Sequence, residues 1–511
     1  MNPMDAMEPG NLGGDLKRGG MAWLRGRGGE PSGAVQSFYS LPEGLPPEAV
    51  CNGTACFVAR HLSPQTWNEA ERQSPRVYCL GQCFGGPARR MGSLRPRMEV
   101  RGGVGIVLER LSVGGARHLE EYRARGGYAG WERTLSRTPQ EVVAEVCDSG
   151  LRGRGGAGFL TGRKWAVVAS QVAEAKFVVA NGDEGDPGAC IDRYLMEEDP
   201  HALIEGMLVA AYAVGASHGW VYVRCEYSEA KRRMEVAVDE ARRADLLGPH
   251  TLGRGRPFDL TIHSGAGGYV CGEETALIRS LEERRPEVMP KPPFVAERGL
   301  WGRPTLVNNV ETLAVVPWVM RHGPGAYRAL GFLESRGTKV ICLNSLFRKP
   351  GLYEVEFGMS LQRIVEEVGE GLVGGRELRG LLVGGPLSGI VPPALLDTPF
   401  GYEELRRIGA SLGHGGWIAF DAHTSIRELL RHVFAFGAEE SCGKCFPCRL
   451  GSHRISEALD GALGGGMSEA SGVAILEALR RGSLCGLGTG LGELGESVLR
   501  HYGKEWAACW A

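Results

Sequence analysis

Apolar positions recur at two spacings along this chain, and the change between them marks its parts. From 131 to 330 the two alternate. Thr138-Pro139-Gln140-Glu141 has the form of a capping box with proline at the first helical position. The helix it opens turns Val142, Val143 and Val146 inward and is expected to stop near Ser149-Gly150. Lys176–Ala180 is a short apolar run, expected as a buried strand, and the polar loop Asn181–Asp186 follows at once. His201–Val214 fits a helix and Trp220–Val223 a second strand. Strand, polar loop, helix, strand is the grammar of an α/β sheet, where ligands bind at the carboxyl ends of the strands. Residues 337–420 shift to short strands and turns, and 425–505 carry helical periodicity without strand signals. Residues 1–35 have neither period and are expected to form a flexible arm. Residues 36–95 form a small cysteine-bearing unit, and 96–130 a basic, Gly-rich connector.

A length of 511 residues exceeds one ordinary core and implies three to four domains. The net charge of −2 gives no general field for nucleic acid or an anionic membrane, so neither is expected as a partner. The longest apolar stretch, Met207–Val223, is broken by Ser217, His218 and Gly219, which excludes an ordinary transmembrane helix. The beginning of the chain lacks a continuous apolar segment, and a cytoplasmic location is expected. Two counts stand out. Glycine reaches 78 in short clusters, a sign of tight turns and close backbone approach. Cysteine reaches 14, which in a reducing compartment points to metal or redox sites.

The strongest motif is Cys442-x2-Cys445-x2-Cys448. Three thiolates in one short loop, completed by the distant Cys485, suit a 4Fe-4S cluster better than a structural zinc site, which usually pairs two C-x2-C units. Lys444 and Arg449 are placed to offset some of its negative charge. Cys51-x4-Cys56 and Cys79-x3-Cys83 form two pairs. Such pairs hold two irons or one zinc, and spacing alone does not separate 2Fe-2S from a zinc ribbon. Gly153–Gly158 contains G-x-G-x-x-G after a helix rather than a strand, so it is not a Rossmann fingerprint. It is expected to form a nest of backbone N–H groups for phosphate, aided by Arg154 and Lys164, with Gly155 at positive φ and intolerant of a branched side chain. Glu273 and Glu274 open a helix after a run of small residues. With Asn308 and Asn309 they can bond hydroxyls and a heterocycle edge, and Phe159, Trp165 and Phe294 can stack on a flat ligand. Cys147, Cys190, Cys225, Cys271, Cys342 and Cys509 have no ligand spacing and are assigned to packing.

Taken in order, Gly153–Phe159 with Lys164-Trp165, Asn181–Gly188 with Asp192-Arg193, Tyr269–Thr275, Lys291–Phe294, Asn308–Thr312 and Glu440–Arg449 resemble the NADH-binding FMN and iron–sulfur flavoprotein subunits. These include the complex I flavoprotein subunit, the diaphorase subunit of NAD-reducing hydrogenases and the beta subunit of NAD-dependent formate dehydrogenases. The resemblance covers about residues 138–500. It implies an α/β fold: a Rossmann-like FMN and NADH domain over 131–330, a β-grasp domain over 337–420 and a helical 4Fe-4S domain over 425–505. The N-terminal cysteines resemble a shortened thioredoxin-like 2Fe-2S module over 36–95, which favours iron over zinc. Asp183–Gly188, Met196–Pro200, Tyr222–Arg224, Val383–Leu387 and Gly413–Gly416 lean towards the formate dehydrogenase beta subunit. The implied activity is exchange of hydride between NAD(H) and FMN, and of single electrons between FMN and the clusters. The other class of reading is an electron-transfer scaffold without nucleotide turnover. FMN is implied to be held by Gly153, Arg154, Gly155, Gly156, Lys164, Asn181, Asp183, Glu184, Tyr269, Gly272, Glu273, Glu274, Asn308, Asn309 and Thr312. NAD is implied to face Phe159, Asp186, Lys291 and Phe294. No catalytic side chain is implied beyond bound FMN, with Glu184 near the flavin. Implied partners are other iron–sulfur subunits and a formate dehydrogenase alpha or hydrogenase catalytic subunit. Val167, Cys190, Gly182 and the short gap between Cys56 and Cys79 depart from the family pattern.

Overall fold

A computed structural model describes residues 48–65, 67–68, 76–91, 100–102, 105–251, 256–461 and 467–510. The expected arm over 1–35, residues 36–47 and 92–95 of the cysteine unit, and 96–99 of the connector lie outside these. The centre is a four-stranded parallel sheet in the order Asp259–Ser264, His218–Val223, Phe177–Gly182, Thr305–Asn309. Thr138 caps the helix Pro139–Asp148 through the expected capping box. The apolar stretch Met207–Val223 is divided by the fold. Its first half ends the buried helix Pro200–Val214, the chain reverses at Gly215, and the second half becomes the strand His218–Val223. Among the described residues no helix is long and apolar enough to cross a membrane.

A second sheet has six strands in the order Ile390–Val391, Gly380–Val383, Gly416–Phe420, Thr338–Leu343, Gly351–Glu356, Val100–Gly102. Its central strands, Thr338–Leu343 and Gly416–Phe420, run parallel, and their other neighbours in the 338–420 segment run antiparallel. The last strand comes from the segment expected to be a connector. That segment is built into the fold, because the buried Glu354 carboxylate accepts the backbone N–H groups of Ile106, Val107 and Leu108. The same segment forms the helices Leu119–Ala124 and, at its end, Ala129–Leu135. A helical region follows, with Ile426–Glu439, Phe446–Leu459, Glu469–Gly482 and Gly486–His501 as its longest members. The N-terminal unit is a three-stranded sheet centred on Glu48–Cys51, parallel to Arg76–Val77 and antiparallel to Arg89–Met91, with the helix Thr54–Ala59.

Glu354→Ala should leave three buried amides without an acceptor. It is expected to destabilise the protein by about 1–3 kcal/mol, measured as a lower thermal or urea midpoint against the wild type.

Candidate functional site

The carboxyl ends of the parallel strands open on a cavity of about 940 Å³. Register places Asn181 beside Asn309, and hydrogen bonds fix the amides. Asn181 Nδ2 donates to Gly272 O at 2.8 Å, and its Oδ1 accepts Asp183 N–H at 3.1 Å. Asn308 Oδ1 accepts the indole N–H of Trp165 at 2.9 Å. Trp165 is wholly buried, so it orients Asn308 and is not a stacking surface, contrary to expectation. Phe159 and Phe294 line the cavity and are about half exposed, as stacking groups at an entrance would be. The glycine loop is closed by Gly153 N–H bonding Phe159 O at 2.8 Å. Among the described residues the N–H groups of Gly155 and Gly156 bond no protein acceptor. Positive φ falls at Gly156 and Gly158, not at Gly155.

The two lysines that line the cavity are ion-paired. Lys164 Nζ lies 3.1 Å from Glu274, and Lys291 Nζ lies 3.0 Å from Glu273 and 2.7 Å from Glu274. Burial alone would raise the Glu274 carboxyl, but the two lysines hold it below its usual value. Glu273 also caps the helix Glu274–Leu281 by accepting Thr275 N–H. Arg154 does not reach the cavity. Its buried guanidinium bonds the hydroxyls of Tyr402 and Tyr327 and Arg336 O, and its N–H bonds Thr312 Oγ1 at 2.8 Å. Arg154 and Thr312 therefore brace the glycine loop from behind. Asp183 Oδ2 and Asp186 Oδ1 are buried without a hydrogen-bond partner although both residues line the cavity. Burial raises the Asp186 carboxyl to about 7, opposed by His414.

Cys445 and Cys485 are each the residue ahead of a long helix, Phe446–Leu459 and Gly486–His501. Cys448 lies in the first turn of the former, and Cys442 is in the preceding loop. Two helix N-termini thus point their partial positive charge at one group of thiols. The Cys445 thiol is lowered chiefly because Cys448 donates to it, with help from backbone N–H groups. Cys485 also borders the 940 Å³ cavity. Of the two expected cations, Lys444 is drawn to Glu287 at 3.4 Å, and Arg449 lies over the Phe446 ring.

The four N-terminal cysteines converge despite the short gap between the pairs. Cys79 and Cys83 Sγ are 3.6 Å apart, and Cys56 and Cys79 are the main influences on the Cys51 thiol, which is raised. Backbone N–H groups of Leu80, Gly81 and Ala88 donate to Cys51, Cys79 and Cys56. Arg193 bonds Leu80 O at 2.6 Å and Arg224 bonds Tyr78 O at 3.1 Å, which ties this loop to the cavity domain. Cys190 and Cys342, assigned separately to packing, meet at 3.1 Å. Cys147 is exposed and does not serve the core.

Residues 146–318 match the Nuo51 FMN-binding domain, and residues 428–509 match the NADH-ubiquinone oxidoreductase-F iron–sulfur binding region. An NADH-quinone oxidoreductase subunit of Rhizobium meliloti (strain 1021) is 41% identical over 408 residues, 79% of this chain and 97% of that protein. The chain belongs to the Nuo51 flavoprotein family. Another relative, the NADP-reducing hydrogenase subunit HndC of Solidesulfovibrio fructosivorans, is 42% identical over 373 residues, 72% of this chain and 76% of its own. A crystal structure of NAD+-reducing [NiFe]-hydrogenase in the H2-reduced state superposes with a TM-score of 0.77 at 28% identity, covering 94% of this chain and 87% of that one.

As a Nuo51-family member the chain is an NADH-binding FMN and iron–sulfur flavoprotein subunit, the NADH dehydrogenase module of complex I-type or hydrogenase-type oxidoreductases. The cavity fits FMN: the two orphaned aspartate oxygens and the free amides of Gly155 and Gly156 await polar partners. When bound, FMN takes up two electrons together and releases them one at a time. Sequence reasoning missed part of the wall. Asp192, His414, Gly384 and Gly413 line the cavity, the last three from the six-stranded sheet. The glycine clusters around Gly384 and Gly413 were the available signal. Glu184 lines the cavity too, but its carboxylate accepts the N–H groups of Ile191, Asp192 and Arg193 and so caps the helix Ile191–Glu198.

Gly156→Val should lower bound FMN about tenfold, because its φ of +111° is strained for any L side chain. Gly153→Ala, whose added carbon would approach nothing closer than 3.7 Å, should retain it. Flavin content of the purified variants checks both.

Proposed function

We propose that this chain binds NAD(H) past Phe159, Phe294, Lys291 and Asp186, exchanges hydride in the FMN cavity, and passes single electrons to a 4Fe-4S cluster on Cys442, Cys445, Cys448 and Cys485. The observation that carries this reading is that Cys485 borders the same cavity as Asn181, Tyr269 and Glu273. A flavin there would lie against a cluster ligand, with no separate carrier between them. The six-stranded sheet is read as a β-grasp domain and the N-terminal unit as a shortened thioredoxin-like module. Their supports are the parallel central strands of the first and the strand–helix–strand start of the second.

The four N-terminal cysteines are read as 2Fe-2S ligands. Convergence of four buried thiols, each pair reached by backbone N–H donors, supports this. Zinc would have no redox role in such a chain of carriers.

For the terminal partner, the stretches Asp183–Gly188, Met196–Pro200, Val383–Leu387 and Gly413–Gly416 support a formate-oxidising subunit. The second reading is a hydrogenase, supported by the superposition over 94% of this chain, a span too long to omit the N-terminal cysteine unit.

NADH added to FMN-replete and cluster-replete protein should bleach the flavin absorbance and reduce an artificial acceptor. Absence of both would leave the scaffold reading. NAD+ reduction by the co-purified complex should then be driven by formate, and drive by hydrogen instead would select the second reading. Cys79→Ser should abolish a 2Fe-2S signal in reduced protein while NADH still reduces the flavin. About one zinc per chain in wild-type protein, with that signal missing, would overturn the 2Fe-2S assignment.

A further inference from the structure

The loop Gly413–Gly415 leads into the strand Gly416–Phe420 of the six-stranded sheet and puts His414 in the cavity wall. Its Nε2 lies 3.0 Å from Asp192 Oδ2 and 3.1 Å from Glu184 Oε1. The imidazole is 11% exposed and the two carboxylates 1% or less. The ring N–H is not aligned on either oxygen, so the contact is an ion pair shared between two carboxylates rather than a hydrogen bond to one.

Both carboxylates are held from their other side by elements that shape the cavity. Glu184 caps the helix Ile191–Glu198, as described above. Asp192 accepts Asn309 Nδ2 at 2.6 Å and Glu311 N–H at 3.1 Å. Other ionisable groups face the cluster. Asp186 stands in the same wall, and Cys190 precedes the helix. Lys339, from the central strand Thr338–Leu343, lies near Asp192 but is engaged by Glu311. His414 is therefore the cation placed between Glu184 and Asp192. Burial opposes its charge, but Asp192 and Glu184 outweigh that and keep its proton on well above the ordinary histidine range.

We propose that His414 is a positioning residue of the flavin site, whose imidazolium compensates Glu184 and Asp192 and so holds the 183–192 segment and Asn309 in the arrangement that FMN occupies. The proposal rests on the FMN reading of the cavity. Two buried carboxylates facing each other without a cation cannot both stay ionised at low cost. In a variant lacking the imidazolium, Asp192, whose carboxyl burial already raises, takes up a proton as pH falls. At higher pH the two carboxylates ionise and repel each other, which loosens the 183–192 segment and Asn309.

FMN binding to the full chain is followed by quenching of flavin fluorescence. His414→Gln should weaken it about tenfold or more, and the ratio to wild type should widen from about pH 6 to about pH 8, above the ordinary carboxylate value of about 4, because burial raises the Asp192 carboxyl. The double variant His414→Gln, Asp192→Asn should recover most of the loss, because removing one carboxylate charge removes the need for the cation. The thermal midpoint of flavin-free protein should show the same loss and recovery, which tests the charge pairing without ligand. Equal FMN affinity for His414→Gln and wild type at both pH values would overturn the proposal. So would a double variant no better than the single one in the flavin-free melt. Failure of wild-type protein to bind FMN, with the melt still showing loss and rescue, would instead refute the FMN reading and leave the charge pairing standing.

Discussion

Backbone meets backbone where the parallel sheet and the six-stranded sheet join, and the cavity exists because of that contact. A side-chain carbon on Gly416 would lie 2.6 Å from the carbonyl carbon of Gly188, and one on Gly385 would lie 2.0 Å from the Asp186 carboxylate. At Gly416 nothing larger than hydrogen fits, because the opposing atoms are backbone; at Gly385 the Asp186 side chain would have to move. The 183–190 loop can therefore lie flat against the end of the second sheet, and both contribute to one wall. Without this approach the parallel sheet would offer only an open edge, and the Gly384 and Gly413 loops would have no part in the site.

Such close contact also buries charge, and the fold meets this by pairing charges, some across elements and some within one. Lys339 and Glu311 are both almost wholly buried and bond each other between the central strand Thr338–Leu343 and the helix Val310–His322. Arg193 pairs with Glu197 at 3.0 Å and Arg224 with Glu226 at 2.7 Å, and both arginines then reach the carbonyls of the N-terminal cysteine loop. Removing one partner from a buried pair costs more than the pair itself contributes. The arginines are therefore committed to their positions, and so is the loop that carries Cys79.

The two cysteine groups are organised on different principles. At the C-terminal group, helix N-termini supply the favourable potential for thiolate charge, and Cys445, Cys448 and Cys485 sit where N–H groups are unpaired in any case. At the N-terminal group the support comes from single backbone amides in turns, and from arginines of the neighbouring domain that fix the loop. In the first arrangement each helix N-terminus lies within a turn of its own cysteine, Cys445 and Cys448 on one helix and Cys485 on another. The second depends on docking between domains.

That difference runs through what was legible beforehand. The capping box at Thr138, the strand before Asn181, the helical C-terminal segment and the C-x2-C-x2-C loop were all readable, because each depends on residues within one or two turns of one another. The amides Asn181, Asn308 and Asn309 were readable for a similar reason: strand ends in an α/β sheet point to one side. Arg154 and Trp165 were misjudged because their chemistry suits a ligand, and only packing showed that Tyr402, Tyr327 and Asn308 already use it. The connector was misjudged because its partner, Glu354, lies more than 240 residues away. By itself the sequence determined the elements, the glycine loops and the cysteine spacings, which are short-range properties of the chain. The tertiary structure decided which charges are paired and that the second sheet completes the cavity. It also brought Cys51, Cys56, Cys79 and Cys83 together. These depend on distances between elements of the folded chain, which no local pattern encodes.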